Sequence, residues 1–118
     1  MKTSEYELMV NFKEFNNDLG NAAMSFSTDK GIEDIYLQLD IAIKNAIINI
    51  DYSELIEDEI ELHAIVDIID NLGTTGPNKV IKGSLPSDKY SMEEAIELFS
   101  KEIKDSLSYN IINFKKLN

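Results

Sequence analysis

The chain predicts an α+β fold: a small antiparallel β-sheet, made of an N-terminal hairpin plus one or two short strands, packed against two or three α-helices. Three observations carry this. Residues 5–27 alternate apolar and polar side chains around a turn-rich centre, residues 32–50 repeat their apolar positions at helical spacing, and residues 91–107 open with a helix-capping pair. At 118 residues without an internal repeat, linker or low-complexity run, residues 1–118 read as one domain. A chain of this size buries roughly two thirds of its unfolded surface, enough for a core without cross-links.

In "EYELMVNFKEF", Tyr6, Leu8, Val10 and Phe12 share one side, opposite Glu7, Asn11 and Lys13. This period of two marks a half-buried strand. "NNDLGN" supplies turn residues, and Ala22, Met24 and Phe26 resume the alternation, giving a β-hairpin over residues 5–27. Thr28 or Asp29 then offers a helix N-cap, with Glu33 and Asp34 in the first turn. Ile32, Ile35, Tyr36, Leu39, Ala42, Ile43, Ala46, Ile47 and Ile50 follow a 3.6-residue repeat and predict a helix of about five turns. Leu37, Ile41 and Ile48 form a second stripe almost opposite, which needs cover from elsewhere in the domain or from a second copy of the chain.

Residues 51–73 are ambiguous. Leu62, Ile65, Val66, Ile69 and Leu72 fit a helix that Asp51 and Glu54 would open and Gly73 would close. Ile60, Leu62, Ala64, Val66 and Ile68 alternate equally well as a strand. Acids at the helix C-terminus and the lack of lysines at i±4 oppose the helix, but each such penalty is only about 0.2–1 kcal/mol, so the helix is the expectation. "GTTGPNKVIKGSLPSD" reads as a loop with a short strand at Lys79–Lys82. Ser91 with Glu94 forms a capping box, and Met92, Ala95, Ile96, Phe99, Ile103 and Leu107 supply the core face of the helix behind it. The tail either extends that helix or forms a last strand through Tyr109, Ile111 or Ile112, and Phe114.

Composition narrows the function. The chain has no cysteine, which excludes disulfides and thiol chemistry and fits a reducing, cytoplasmic setting (host cytoplasm, if the gene is carried by a phage). There is no signal-like or membrane-length apolar run. The net charge is −11, all eleven basic residues are lysine, and no basic stripe appears, so direct binding to nucleic acid or to a membrane is not expected. The charge is uneven: residues 1–50 sum to −4 (eight acids, four lysines), 51–73 to −8 (eight acids, no lysine) and 74–118 to +1 (six acids, seven lysines).

Glu54, Glu57, Asp58, Glu59 and Glu61, bordered by Tyr52, therefore form the expected binding surface, directed at a protein partner with a basic face. Small, acidic, cysteine-free domains occur among phage anti-defence proteins, anti-CRISPR proteins and toxin-neutralising immunity proteins, an analogy of size and charge that suggests a non-enzymatic inhibitor. The alternatives are a structural or assembly subunit that associates through Leu37, Ile41 and Ile48 as a homodimer or larger homo-oligomer, and a dimer that sequesters a small ligand near Gly76, Asn78, Lys79 and Lys82.

No catalytic residue, cofactor or metal is expected. The loop matches neither phosphate-binding glycine pattern, and the lone His63 adjoins no nucleophile motif. Glu59, His63 and Asp67 would stack in one column of a helix, a spacing common by chance.

Overall fold

The computed structural model describes residues 2–15, 17–73 and 76–118. Six strands and two helices follow in the order β1 (Ser4–Glu14), β2 (Asn17–Thr28), α1 (Ile32–Lys44), β3 (Ile47–Ile56), β4 (Glu59–Asp67), β5 (Val80–Pro86), α2 (Met92–Ser106) and β6 (Leu107–Lys116). They build two three-stranded antiparallel sheets, β2-β1-β6 and β3-β4-β5. The expectation of one small sheet against two or three helices is thus corrected: the chain is mostly β, with two sheets and two helices. The second sheet is a meander of consecutive strands, whereas the first is the β1–β2 hairpin completed by the C-terminal β6, which joins β1 on the side away from β2; α1 follows β2 and α2 follows β5.

Sheet residues point alternately to two faces, and only one face of each sheet is apolar. In the first sheet Leu8, Val10 and Phe12 of the central strand β1 are fully buried. Met24 and Phe114 flank Leu8, Ala22 and Ile111 flank Val10, and Gly20 and Tyr109 flank Phe12. In the second, Ile60, Leu62, Ala64 and Val66 of the central strand β4 are buried between Leu55, Ser53, Ile50 and Ile48 of β3 and Leu85, Gly83 and Ile81 of β5. Helix α1 adds Ile35 and Leu39, and α2 adds Ala95, Phe99 and Ile103, to one continuous apolar cluster.

The N-terminal hairpin stands as expected, but β1 ends at Glu14 and β2 begins at Asn17, so residues 17–21 of "NNDLGN" lie in strand β2 and not in a turn. Asn16 lies outside the described residues. The Ser91–Glu94 capping box is formed from both sides: Ser91 Oγ accepts from Glu94 N at 3.2 Å, and Glu94 Oε1 accepts from Ser91 N at 3.1 Å. Neither Thr28 nor Asp29 caps α1, because Gly31 holds the N-cap position. The Thr28 hydroxyl instead donates to Asp34 Oδ2 at 2.6 Å and accepts from Lys30 N, holding the entry to the helix.

Helix α1 is shorter than its periodicity suggested. It ends at Lys44, and Ile47–Ile56 forms β3, so Ile48 leaves the helix and packs half-buried against the core. Crowding of β-branched side chains in a helix turn, and strand pairing with β4, account for the change. The 51–73 segment is likewise no helix. It supplies most of β3 and all of β4, joined by a two-residue turn at Glu57–Asp58. The short strand placed at Lys79–Lys82 is the longer β5, and the tail is strand β6.

Strands of about ten residues are nearly twice the usual length, each spanning about 34 Å. The molecule is correspondingly elongated, 59 × 21 × 20 Å, with a radius of gyration of 16.9 Å where a compact chain of this length gives about 13.5 Å.

Candidate functional site

The β3–β4 hairpin carries the acidic stretch. With Ile60, Leu62, Ala64 and Val66 turned inward, strand alternation sends Glu59, Glu61, His63, Ile65 and Asp67 to the outer face. Register then fixes their neighbours. Ile56, Glu59 and Pro86 form one row across β3, β4 and β5; Glu54, Glu61 and Ser84 form the next; Tyr52, His63 and Lys82 form the third. The extra residue Asp51, at the irregularity between Ile50 and Tyr52, re-phases β3 so that Tyr52 comes to face His63.

Glu54 and Glu61 therefore stand directly opposite one another, a like-charge cross-strand pair that costs stability. Each is tied to a ring in the next row. The Tyr52 hydroxyl donates to Glu54, and His63 Nε2 lies 3.1 Å from Glu61 Oε1. The two rings stack with centroids 4.5 Å apart at 31°. The hydrogen bond to Glu54 pushes the Tyr52 pKa up to about 12.

Lysines do little to relieve this charge. Among the described residues the ion pair that involves a lysine is Lys101–Asp105, so no lysine nitrogen comes within 4 Å of a hairpin carboxylate. Lys82 borders the shallow depression that Ile56, Glu57, Glu59 and Glu61 also line.

The tip adds a second cost. Glu57 takes φ 55°, the left-handed region in which a side chain is strained by about 1–2 kcal/mol and which glycine occupies freely. Beside it, Leu55 and Ile56 are exposed apolar residues among the carboxylates. Glu57→Gly should therefore raise stability by about 1 kcal/mol, read as a higher urea midpoint at unchanged slope; no gain would mean that the turn is not strained.

The other sequence candidates fall elsewhere. Glu59, His63 and Asp67 share a face but not a site: four strand residues separate each by about 13 Å, so they cannot ligate one ion. Among the described residues no group of three His, Asp or Glu side chains could hold a metal. Leu37 and Ile41 are exposed, at 55% and 48%, on α1. Ile41 borders a groove of about 370 Å³ whose far wall is Ile69, Asp70 and Asn71, while Ile48 lies apart in β3.

Gly76 serves packing. It is buried, and a Cβ there would come within 2.9 Å of the Ala22 Cβ. Its carbonyl accepts from Ile68 N at 2.9 Å, which holds the β4–β5 connection against β2. Asn78 is exposed, and Thr74 and Thr75 of the same loop lie outside the described residues. Lys79 and Lys82 reach a separate cavity with Glu14 and Asp18. Sequence reasoning missed Glu14, whose inward phase was visible from its spacing to Phe12, and the Glu54–Glu61 pairing, which needs the register.

A second tyrosine resembles Tyr52 in its titration. Tyr109 of β6 donates to Asp40 Oδ1 of α1 at 2.6 Å, and that bond, with burial, pushes its pKa up to about 12. Because the folded value is raised, the stabilisation is complete below the unfolded tyrosine value near 10 and is lost as pH climbs from about 10 to 12. In an absorbance titration, two of the five tyrosines should ionise only near pH 12, and Tyr109→Phe should remove one of the two late transitions. Five transitions near pH 10 would contradict both hydrogen bonds.

No protein-family model, no curated protein and no solved structure matches the chain. No helix among the described residues is long and apolar enough to cross a membrane.

Proposed function

We propose that this protein is a non-enzymatic binding protein, of an inhibitor type, whose β3–β4 hairpin docks its carboxylates into a basic surface of a protein partner. The observation that carries this reading is the Glu54–Glu61 pair: two carboxylates face each other across the hairpin with no lysine nitrogen within 4 Å of either among the described residues. In the free protein the opposition of the two charges costs stability. A partner's lysine or arginine placed between the two would turn the repulsion into attraction. Glu57 supports the same reading, since a charged side chain occupies a turn position where glycine would be more stable.

The rigid part of the surface is its floor. Buried Leu62 and Ala64 anchor β4 from beneath, and the Tyr52–His63 stack and the two ring-to-carboxylate contacts hold Glu54 and Glu61 in place. Less side-chain freedom is then lost on binding than two free glutamates would lose. Exposed Leu55 and Ile56 give the tip apolar area to bury, which a purely solubilising acidic face would not need.

The test compares the native chain with the triple variant Glu57→Lys, Asp58→Lys and Glu61→Lys in pull-downs from host lysate at low and high salt. A partner retained at low salt, released at high salt and absent from the variant is the expected result. Identical capture by both proteins would refute the reading, provided circular dichroism shows the variant folded. Glu54→Lys alone should separate the two effects. It should raise stability by about 0.5 kcal/mol by pairing with Glu61, yet weaken capture.

A further inference from the structure

We propose a second site, which shares only Lys82 with the border of the acidic hairpin: a small cavity between the end of β1, the start of β2 and the start of β5 that binds a free amino acid or another small zwitterion. Its volume is about 310 Å³, at the small end of ligand pockets, and the charged groups around it are Glu14, Asp18, Lys79 and Lys82. Leu19 and Ile81, both buried, supply apolar wall. Lysines of this loop alone would suggest an anion. The two acids at the end of β1 and the start of β2 change the chemistry to a ligand that carries both signs.

Three features distinguish the cavity from an ordinary patch of mixed charge. First, opposite charges border one space without collapsing onto each other, because no carboxylate of Glu14 or Asp18 lies within 4 Å of a lysine nitrogen among the described residues. Second, Lys79 is held in position by its own hydrogen bond, donated to the Asp18 carbonyl at 2.8 Å, which leaves two of its N–H groups for a ligand carboxylate. Third, Glu14 is only 6% exposed, yet its side chain has a neutral partner, accepting from Asn17 Nδ2 at 3.1 Å through Oε2. A buried carboxylate without a cation is costly, and a ligand ammonium offsets that cost.

The roles follow from what each group already does. Asp18 Oδ1 accepts from Gly20 N at 2.8 Å and from Asn11 Nδ2 at 2.9 Å, and Glu14 Oε2 accepts from Asn17, so each carboxylate keeps one oxygen for a ligand. Glu14, buried where Asp18 is exposed, is assigned the ligand ammonium, and Lys79, assisted by Lys82, the carboxylate. An anion alone would meet Glu14 and a cation alone would meet two lysines, so each separated ion binds more weakly than the two joined.

The experiment follows backbone amide resonances of the full chain during titration with glycine, β-alanine and 4-aminobutyrate, each to about 50 mM, the weak affinity such small ligands allow. Acetate and methylammonium, added together, are the control. Saturable shifts at Glu14, Asn17, Leu19 and Lys79–Ile81 with at least one zwitterion, about tenfold weaker or absent with the separated ions, are the expected result. Glu14→Gln keeps an oxygen for Asn17, and Lys79→Met keeps the aliphatic stem, so both should leave the rest of the spectrum unchanged while weakening the zwitterion about tenfold or more. The proposal is overturned if no zwitterion saturates these amides, if acetate alone matches the zwitterions, or if both variants bind as the native chain does. None of these outcomes bears on the acidic hairpin, whose own test changes different residues.

Discussion

Leu62→Ala should lower stability by about 2–5 kcal/mol, whereas Ile65→Ala should cost about 1 kcal/mol or less. Leu62 is fully buried at the centre of the second sheet, paired with Ser53 on one side and Gly83 on the other. Truncating it leaves a cavity beneath α2 that the flanking strands cannot close. Ile65 lies three residues on, on the outer face between Asn49 and Val80, and is only half-buried. In a helix the two would share a face and cost alike. Thermal melts should separate them, with Leu62→Ala falling by roughly 10 °C or more and Ile65→Ala by a few degrees. Equal losses would restore the helical arrangement of residues 51–73, and the acidic surface derived from strand register would go with it.

Gly83→Val should cost about 2–3 kcal/mol, for want of space and not of backbone freedom. Gly83 sits on the inner face of β5 beside Leu62, and a Cβ added there would come within 2.6 Å of Phe99 Cε1. The Phe99 ring is itself buried, so it cannot swing clear without moving α2. The glycine is what lets the helix lie close on the sheet. A smaller residue opposite should therefore relieve the clash: the loss in the double variant Gly83→Val with Phe99→Ala should be well short of the sum of the two single losses. Strict additivity would show that the two positions do not meet.

The two devices bear on the same surface from beneath. Leu62 and Gly83 share a row with Ser53, next to the row that holds Tyr52, His63 and Lys82 on the other side of the sheet. Destabilising variants here should weaken partner capture through loss of the scaffold, so the charge variants at Glu57, Asp58 and Glu61 are the cleaner probe of binding.

Much of the molecule is legible without coordinates where one local signal has no rival. Tyr6, Leu8, Val10 and Phe12 can only alternate, and Ser91 with Glu94 can only open a helix, so the N-terminal hairpin and α2 are found in place. The acidic stretch had two rivals of equal quality, since both a helix and a strand bury one apolar face of residues 59–69. That burial is common to both, so it cancels in the comparison. What remains is the helix's own penalty: repeated like charges one turn apart, acids at the negative end of the dipole, and β-branched residues in every turn. Individually small, these terms accumulate over eight carboxylates, and the strand accepts instead the opposed pair Glu54–Glu61. The same reasoning applies to Ile47–Ile50, whose helical spacing was shared with an alternation that packs Ile48 and Ile50 on Val66 and Ala64.

By itself, then, the amino-acid order determined where the negative charge lies along the chain, that no thiol chemistry is available, and which isolated elements form. Which carboxylates meet was decided by the tertiary structure alone. The Glu54–Glu61 opposition, the Tyr52–His63 stack and the Glu14–Lys79 cavity all depend on strand register and on how the end of β1 and the start of β2 meet β5. Register is a long-range quantity, fixed only when both apolar faces close on a shared core, and one residue of slip would turn every one of these side chains to the opposite face.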